Sequence, residues 1–379
     1  MIPYGRQDIS QDDIDAVEEV LRSDWLTQGP MVPKFERTVA DYCGAKYAVA
    51  VNSATSALHL ACLALGLGKG DALWTSPNTF VASANCALYC GADVDFVDID
   101  PRTYNLCASA LEIKLVEAEL LGNLPKIVIP VHFAGQSCDM KKINELSRKY
   151  GFYVVEDASH AIGGEYLGNK IGGGQYSDIT VFSFHPVKII TTAEGGVAVT
   201  NTDVLAQKMR LLREHGITRD TDLMSGGLQG KWIYEQVYLG FNYRMNDLQA
   251  ALGISQFKLL NGVIDKREKI VSIYRREFAG LPILLPYESP ECSSSWHLFV
   301  IQFSDRAGLY GYLRSRGVQV NVHYIPVYYH SFYRKLGFNR GLCPVAERYY
   351  EGTLTLPLFQ ALDKKTQILV CNYVHEYFE

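Results

Sequence analysis

Short apolar runs alternate with amphipathic segments between residues 46 and 200. The apolar runs predict β-strands, and the amphipathic segments between them predict α-helices. Because strands that alternate with helices form crossover units, the chain is expected to be an α/β protein with a mainly parallel sheet. The predicted strands are 47–51, 94–97, 127–131, 152–156 and 179–184, and two of the helices between them are 56–65 and 139–150.

The N-terminal segment predicts a helix that begins after Ser10. Ser10 and Asp13 have the spacing of a capping box, in which two side chains bind each other's backbone amides. The following residues are apolar at positions i, i+3 and i+7, as in a half-buried helix. These positions are Ile14, Val17 and Leu21. Residues 25–30 then break the pattern and predict a loop.

The C-terminal third predicts a second, smaller α/β unit. Helical pattern dominates at 204–215 and from 246 to about 278, and a break follows at 280–282. Beyond the break come a strand-like segment at 297–303, a helical one at 307–316, a strand-like one at 318–323 and a terminal helix from about Asp363. We therefore predict a large domain of residues 1–250 and a small C-terminal domain of residues 251–379.

Composition is consistent with a soluble cytoplasmic protein. A net charge of −5 and a pI near 6.0 argue against a general nucleic-acid or anionic-membrane surface. The nine cysteines form no Cys-x-x-Cys pair, which predicts buried free thiols in a reducing compartment. The N-terminus lacks the pattern of a signal peptide, and no apolar run reaches the roughly 18 residues that cross a membrane.

Residues that follow the predicted strands are the first candidates for chemistry, because open α/β sheets bind ligands beyond the carboxyl ends of their strands. Residues 52–57 (NSATSA) follow the first strand and open a helix. Free amides at a helix N-terminus, the helix dipole and nearby hydroxyl groups together favour a phosphate. The alternative is simple capping of the helix by Ser53 or Thr55.

Asp157 and His160 follow the strand at 152–156. A carboxylate at a buried strand end costs free energy unless a cation meets it. One such cation is the protonated pyridinium nitrogen of a cofactor, whose electron-sink character a carboxylate preserves. The alternatives are a helix cap for Asp157 and a hydrogen-bonded structural role for His160.

Lys188 lies between the apolar residues Val187 and Ile189. Either its stem reaches to the surface, or its desolvated amine has a lowered pKa and serves in Schiff-base chemistry. The glycines of 193–196 (AEGG) predict backbone freedom where the chain turns back beneath a ligand. Phe80 follows another strand-like run and predicts either core packing or a ring stacked on a flat cofactor.

These features together match the parts that pyridoxal 5′-phosphate (PLP) needs: a phosphate cup, a carboxylate, an amine and a stacking ring. Other nucleotide-binding patterns are missing from the sequence. No G-x-x-x-x-G-K-[ST] loop is present, and residues 52–57 contain no glycine, whereas a nicotinamide-dependent dehydrogenase needs a glycine-rich turn after its first strand. The sequence therefore favours PLP chemistry.

Four motifs resemble the DegT/DnrJ/EryC1/StrS family of sugar aminotransferases, and the likeness runs through nearly the whole chain. The motifs are 52–59 (NSATSALH), 156–160 (EDASH), 183–188 (SFHPVK) with 193–196, and 240–245 (GFNYRM). The resemblance implies the PLP-dependent transferase fold type I, which is aspartate aminotransferase-like, with a large α/β domain and a smaller C-terminal one. It also implies a homodimer with active sites at the interface.

By position in these motifs, the resemblance implies a role for individual residues. Lys188 would hold PLP as a Schiff base, Asp157 would pair with the pyridinium nitrogen and Phe80 would stack on the ring. His160 would border the phenolic side of the ring. The positions implied to bind phosphate are Thr55, Ser56 and Ser183, with Asn242 lent by the other subunit. Arg244 is either a clamp for the carboxylate of glutamate or part of an interface salt bridge.

Three stretches, 130–137, 183–192 and 321–326, resemble the subgroup of this family that acts in pseudaminic acid biosynthesis. That likeness implies transfer of the amino group of L-glutamate to C4 of UDP-2-acetamido-2,6-dideoxy-β-L-arabino-hexos-4-ulose. It also implies that a set of residues lines the sugar-nucleotide pocket: Tyr4, Trp25, Leu26, Thr27, His323, Tyr324, Ile325 and Pro326. Segments 221–230 and 328–330 are less specified, and we expect them to influence sugar preference.

Two alternatives stay open at this point. The same chemistry on another 4-keto sugar nucleotide, linked to GDP or dTDP, uses the same cofactor motifs. A PLP-fold sensor that binds the cofactor without turnover belongs to a different class. No appended DNA-binding segment or basic stretch supports the sensor.

Overall fold

A computed structural model describes residues 1–225, 230 and 232–379 of the chain. In this part of the chain the α-helices are α1 Gln11–Leu21, α2 Met31–Cys43, α3 Ala54–Ala64, α4 Ala82–Tyr89, α5 Ala108–Leu121, α6 Met140–Tyr150, α7 Asp203–Arg213, α8 Asp247–Phe257, α9 Leu260–Glu277, α10 Arg306–Ser315, α11 Ser331–Lys335, α12 Pro344–Gly352 and α13 Lys364–Phe378. The β-strands are β1 Tyr47–Val51, β2 Ala72–Thr75, β3 Asp93–Phe96, β4 Ile127–Ile129, β5 Tyr153–Asp157, β6 Glu165–Tyr166, β7 Asn169–Lys170, β8 Ile179–Ser183, β9 Gly196–Thr200, β10 Ile217–Thr218, β11 Glu235–Gln236, β12 Cys292–Ser293, β13 Phe299–Gln302 and β14 Thr353–Leu356.

The predicted α/β architecture is confirmed. Among the described residues, the main sheet has seven strands in the order β1-β9-β8-β5-β4-β2-β3. All neighbours from β8 to β3 run parallel, whereas β9 runs antiparallel to both β1 and β8. The parallel strands end at one edge, and the loops at that edge carry the motifs that the sequence singled out.

Several elements, among them α2, β9 and β14, were not predicted. The predicted strands and helices form with boundary shifts of a few residues, apart from two differences. The helical pattern from 246 to 278 forms two helices, because the chain breaks between α8 and α9. The prediction of a strand at 318–323 is wrong: Val318 and Asn321 form isolated bridges, with Ile2 and Thr355 respectively. Residues 318–323 therefore bridge to two different segments of the chain and do not form one continuous strand.

Helix α1 has the predicted capping box at Ser10, but its predicted stripe is wrong for Ile14 and Leu21, whereas Val17 is half-buried. Ile14 and Leu21 are 50% and 57% exposed, and Asp13 and Val20 are the buried residues. Helix α1 packs on α8, and Gln256 of α8 donates a hydrogen bond of 2.7 Å to the Asp13 carboxylate. Because this polar contact fixes the rotation of the helix, the apolar stripe is left facing outwards.

Apolar residues cover both faces of the main sheet, and a separate core fills the C-terminal part of the chain. Helix α9 connects the two: Leu260 and Val263 pack beneath the main sheet, whereas Ile270 and Tyr274 belong to the C-terminal core. Helices α11 and α12 pack back on the main sheet through Tyr333 and Ala346. The domain boundary near residue 250 stays a prediction.

Two sequence-based expectations about the chain as a whole can be compared with the structure. No helix of the described residues is long and apolar enough to span a membrane. All nine cysteines are free, as predicted. The expectation that they are buried is wrong for Cys90, Cys107 and Cys292, which are partly exposed because they lie at helix ends or in short edge strands.

Candidate active site

A cavity of about 640 Å³ opens at the carboxyl ends of the parallel strands. Loops that follow β1, β5 and β8 form its floor, and the C-terminal segment 321–325 closes one side. Most of the predicted site residues line it, although they are widely spaced in the sequence. These are Tyr4, Thr55, Phe80, Asp157, His160, Ser183, Lys188, His323, Tyr324 and Ile325.

Six predicted residues do not line the cavity of their own chain: Trp25, Leu26, Thr27, Ser56, Asn242 and Pro326. Ser56 is buried, and its hydroxyl donates to Asn52 at 2.6 Å, so it points into the protein. Pro326 precedes a short turn whose Tyr329 amide donates to its carbonyl. Asn242 is exposed and faces Glu214 across an isolated bridge.

The loop at 25–30 is tied to the start of α8 and not to the cavity. Asp247 donates its amide to the Leu26 carbonyl, and its carboxylate accepts from the Gly29 amide at 3.2 Å. Trp25 and Leu26 are 55% and 49% exposed. Arg244 also lies outside the cavity lining.

The two less specified segments have different places in the structure. Residues 226–229 of the 221–230 segment lie outside the described residues. In 328–330, Tyr328 is buried in the core beneath the sheet, whereas His330 lines the cavity.

An anion cup forms at the N-terminus of α3. Ser53 caps the helix, because its hydroxyl accepts from the Ser56 amide at 3.1 Å. The amides of Ala54 and Thr55 precede the first turn of intrahelical hydrogen bonds, so the geometry of the helix leaves them available to a ligand. Ser53, Thr55 and Ser183 face the cavity here. Ser53 therefore caps the helix while the neighbouring amides remain available to an anion, so the two predictions for this motif are compatible.

The Glu-Gly-Gly turn beside this cup needs its glycines for space. Neither Gly195 nor Gly196 has a positive φ, so the expected backbone freedom is not the reason for them. A Cβ at Gly196 would collide with the backbone of Ser53 and Ala54. Only glycine lets β9 pass directly beneath the N-terminus of α3.

The amine of Lys188 belongs to the cavity and is only partly exposed. Desolvation by the surrounding protein lowers the pKa of Lys188 to about 8, although the negative charge of Asp157 opposes this shift. A lysine with such a pKa holds a substantial neutral fraction near pH 7, which makes it a competent nucleophile for an aldehyde.

The lowered pKa gives a first prediction. In cofactor-free protein, the rate at which Lys188 captures PLP should rise with pH and level off above about 8, since only the neutral amine attacks. An ordinary lysine would keep gaining rate up to about pH 10.4. Stopped-flow absorbance at a series of pH values measures this rate, with Lys188→Ala as the background. A rate that still climbs steeply above pH 9 would contradict the lowered pKa.

Asp157 is the last residue of β5 and is 5% exposed. Its carboxylate accepts a hydrogen bond of 2.6 Å from the Ser83 hydroxyl and one of 3.1 Å from the Ser159 amide. Both contacts hold the carboxylate in place at the cavity floor. The two oxygens are therefore fixed in place for a cationic partner.

Three buried histidines, His160, His297 and His323, line the cavity. Burial lowers the pKa of each, to about 3 for His323 and well below the usual range for the other two. The positive charge of Lys188 adds to this lowering in all three. The histidines are therefore neutral at physiological pH and present fixed donors and acceptors.

Phe80 is 61% exposed at the cavity edge, so the core-packing alternative is excluded. It precedes α4, whose Ser83 supports Asp157. An exposed aromatic face beside a cavity is suited to cover a flat ring.

The residues of the cavity fit PLP. The free amides of α3 suit a phosphate, the Asp157 carboxylate suits a pyridinium nitrogen, and the Lys188 amine suits an aldehyde. Thr55, Asp157 and Lys188 line one cavity of about 640 Å³.

Sequence reasoning missed two residues of this site. Ser83, which holds Asp157, lies in a helix and belongs to no motif. His297 lies between Trp296 and Leu298, and a polar residue at the start of an apolar strand was its only signal. Its ring centroid lies 4.3 Å from that of His160.

The chain is similar to known proteins along most of its length. A profile of the DegT/DnrJ/EryC1/StrS aminotransferase family matches residues 7–375. The UDP-4-amino-4,6-dideoxy-N-acetyl-beta-L-altrosamine transaminase of Campylobacter jejuni is 39% identical over 373 residues, which span 96% of this chain and 94% of that protein. The GDP-perosamine synthase of Caulobacter vibrioides is 42% identical over 268 residues, which span 70% and 67% of the two chains. The structure of Helicobacter pylori PseC, an aminotransferase involved in the biosynthesis of pseudoaminic acid, has a TM-score of 0.91 at 32% identity and covers 100% of this chain and 99% of that one.

Proposed function

Because the chain belongs to the DegT/DnrJ/EryC1/StrS aminotransferase family, whose members depend on PLP, we propose a specific substrate pair for this sugar aminotransferase. It transfers the amino group of L-glutamate to C4 of UDP-2-acetamido-2,6-dideoxy-β-L-arabino-hexos-4-ulose. The product is UDP-4-amino-4,6-dideoxy-N-acetyl-β-L-altrosamine. The single observation that carries the amino-transfer chemistry is the Lys188 amine, with its lowered pKa, in one cavity with the Asp157 carboxylate.

The protein's own groups have distinct tasks in this reaction. When bound, PLP supplies an aldehyde that accepts an amino group and a conjugated ring that stabilises negative charge on the reacting carbon. Lys188 holds the cofactor and, once displaced by the amino donor, takes and returns a proton at Nζ. Asp157 holds positive charge at the cavity floor, and Phe80 covers the exposed side.

Support for the sugar comes from the comparisons and from the residues around the cavity mouth. The Campylobacter jejuni relative is named for the proposed product and aligns over nearly the full length of both chains. The rings of Tyr4 and His323 line the cavity, with centroids 5.6 Å apart and planes tilted by 53°. Together with Tyr324 they give that side of the cavity an aromatic, uncharged wall that suits a sugar.

A second candidate is the same transfer to a GDP-linked 4-keto sugar. It is favoured by the 42% identity to the GDP-perosamine synthase, although that match spans only 70% of this chain. The cofactor residues do not distinguish the two candidates, because they bind PLP and not the nucleotide.

A panel of keto-sugar nucleotides tests the proposal. Purified protein with PLP and L-glutamate should form 2-oxoglutarate only when a keto sugar is present, and most rapidly with the UDP-linked 4-ulose. Mass spectrometry then locates the gained amine at C4. Faster turnover of a GDP- or dTDP-linked sugar would replace the proposed substrate, and binding of PLP without any turnover would favour a sensor.

We also propose a homodimer with shared active sites. Asn242, Trp25, Leu26 and Thr27 are exposed and lie outside the cavity of their own chain, so a role in the site requires that they reach the cavity of another subunit. The exposed apolar side of α1, with Ile14 and Leu21, adds surface for such an association. The proposed compartment is the cytoplasm, in keeping with nine free thiols.

A further inference from the structure

The His160 ring is held by the backbone of a neighbouring turn on the side away from Tyr324. The amide of Ala134 donates to Nδ1 of His160 at 3.3 Å. Because a backbone amide can only donate, Nδ1 must accept and therefore carries no proton. Burial, reinforced by the charge of Lys188, keeps the pKa of His160 well below its usual range, so the ring is neutral. Its single proton then lies on Nε2, which is 3.2 Å from the Tyr324 hydroxyl at the cavity wall.

The turn that supplies this amide is Phe133–Gly135, and its shape is unusual. Ala134 has a left-handed φ of 59°. The turn is joined to a second segment, because the His297 amide donates to the Ala134 carbonyl at 2.8 Å. A Cβ at Gly135 would lie 2.8 Å from the amide nitrogen of Trp296, so the two segments are in close contact. The position of the Ala134 amide therefore depends on what anchors the turn.

His132 anchors the turn from beneath. It is fully buried, and its Nδ1 accepts from the Cys138 amide at 3.2 Å. By the same argument as for His160, its proton lies on Nε2, which donates to Glu156 at 2.6 Å. The His132 imidazole therefore links Glu156, near the end of β5, to Cys138, at the far end of the loop 132–138.

Glu156 is suited to fix the tautomer of His132. Burial acts to raise the pKa of Glu156, but hydrogen bonds from His132, Ser177 and Thr180 hold it below its usual range. The carboxylate is therefore ionised and accepts only. Thr180 donates at 3.0 Å, and Ser177 donates to the same oxygen.

We propose that His132 is a positioning residue for amino transfer. Bound between Glu156 and the Cys138 amide, it holds the Phe133–Gly135 turn so that the Ala134 amide keeps the proton of His160 on Nε2, facing the cavity. The proposal rests on the proposed function and on the family resemblance, which implies that His160 borders the phenolic side of PLP. A proton on Nε2 can be donated to an oxygen there, whereas the other tautomer presents a lone pair that repels it.

Two variants separate the two hydrogen bonds of His132. His132→Gln keeps a donor near Glu156 but has no acceptor for the Cys138 amide. His132→Asn keeps an acceptor near Cys138 but is too short to reach Glu156. His375→Gln is the matched control, because His375 is a partly buried histidine of α13 that hydrogen-bonds to the Glu277 carbonyl, away from the cavity.

Nitrogen NMR of the ¹⁵N-histidine-labelled holoenzyme gives the direct measurement, with the His160 signals assigned by their loss in His160→Gln. Wild-type His160 should be neutral with Nε2 protonated. Both variants at His132 should give a mixture of His160 tautomers and lower kcat by about tenfold, with KM for the sugar nucleotide changed less than about threefold. The His375→Gln variant should change neither.

The outcomes are distinct. A wild-type His160 protonated on Nδ1, or a tautomer unchanged in both folded variants, would overturn the proposal. If neither variant folds, Ser177→Ala takes their place. This variant removes the hydrogen bond from Ser177 to Glu156 and leaves His132 itself unchanged. It should shift the His160 tautomer in the same direction to a smaller extent. An unshifted tautomer in Ser177→Ala would then count against the proposal. If the His132 variants shift the tautomer but the wild type transfers no amino group, the proposed function fails, whereas the control of the His160 tautomer by His132 stands.

Discussion

Lys188→Ala should abolish covalent capture of PLP and lower turnover by on the order of a thousandfold or more. The variant loses the only lysine that lines the described cavity, and with it both the amine that holds the cofactor and the group that moves the proton. It should also lose the visible absorbance band of the lysine-bound cofactor. Turnover near that of the wild type would show that another group does the chemistry.

A matched control makes this result specific. Lys126→Ala removes a lysine that pairs with Asp71 at 2.9 Å, away from the cavity. It should leave absorbance and turnover unchanged. Added methylamine is a further check, because a small amine can enter the space left by the Lys188 side chain. Partial recovery of turnover with methylamine is expected if the missing group acts as a base.

Asp157→Asn should lower turnover by roughly a hundredfold or more while the protein stays folded. Asparagine keeps the shape of the side chain, and its amide oxygen can still accept from the Ser159 amide. Its NH2 group takes the place of the oxygen that accepts from Ser83, and it can donate to the Ser83 hydroxyl instead. What it loses is the negative charge at the cavity floor. Without that charge a protonated pyridinium nitrogen is no longer favoured, and the ring withdraws electrons less effectively.

Asp178→Asn is the control for this second prediction. Asp178 is also a partly buried aspartate, and it accepts from the Val154 amide at 2.8 Å. It precedes β8 and therefore lies at the opposite edge of the sheet from the cavity. Steady-state kinetics with L-glutamate and the sugar nucleotide, together with thermal unfolding, separate the two variants. If Asp178→Asn loses as much turnover as Asp157→Asn, the loss reflects stability and not charge at the site.

Much of the fold followed from short stretches of sequence. Strand β1 was predicted at its observed bounds, and Ser10 forms the predicted capping box. The terminal helix begins one residue after its Asp363 cap. These features succeed because apolar periodicity and capping depend on residues within one or two turns of each other.

The prediction for the apolar face of α1 failed because the orientation of this helix depends on a contact with a distant part of the chain. Ile14 and Leu21 have the spacing of a buried stripe, yet the helix buries Asp13, which is bonded to Gln256 from a helix more than two hundred positions later. Periodicity identifies a helix face but not what lies opposite to it. Here the inward face carries Asp13, whose carboxylate is hydrogen-bonded to Gln256 of a distant helix.

By itself, the sequence determined the chemistry of the cavity: the Lys188 amine, the Asp157 carboxylate, Phe80 and the cup at Thr55 all lie at strand ends where the α/β pattern predicts ligands. Only the tertiary structure decided how these groups are held. It turned Ser56 away from the cavity, required Gly196 for space, and brought Ser83 against Asp157. The physical reason is distance along the chain. Residue types and local periodicity are properties of neighbouring positions in the sequence. The hydrogen bonds and packing that hold each side chain come from residues that meet only after the sheet has assembled.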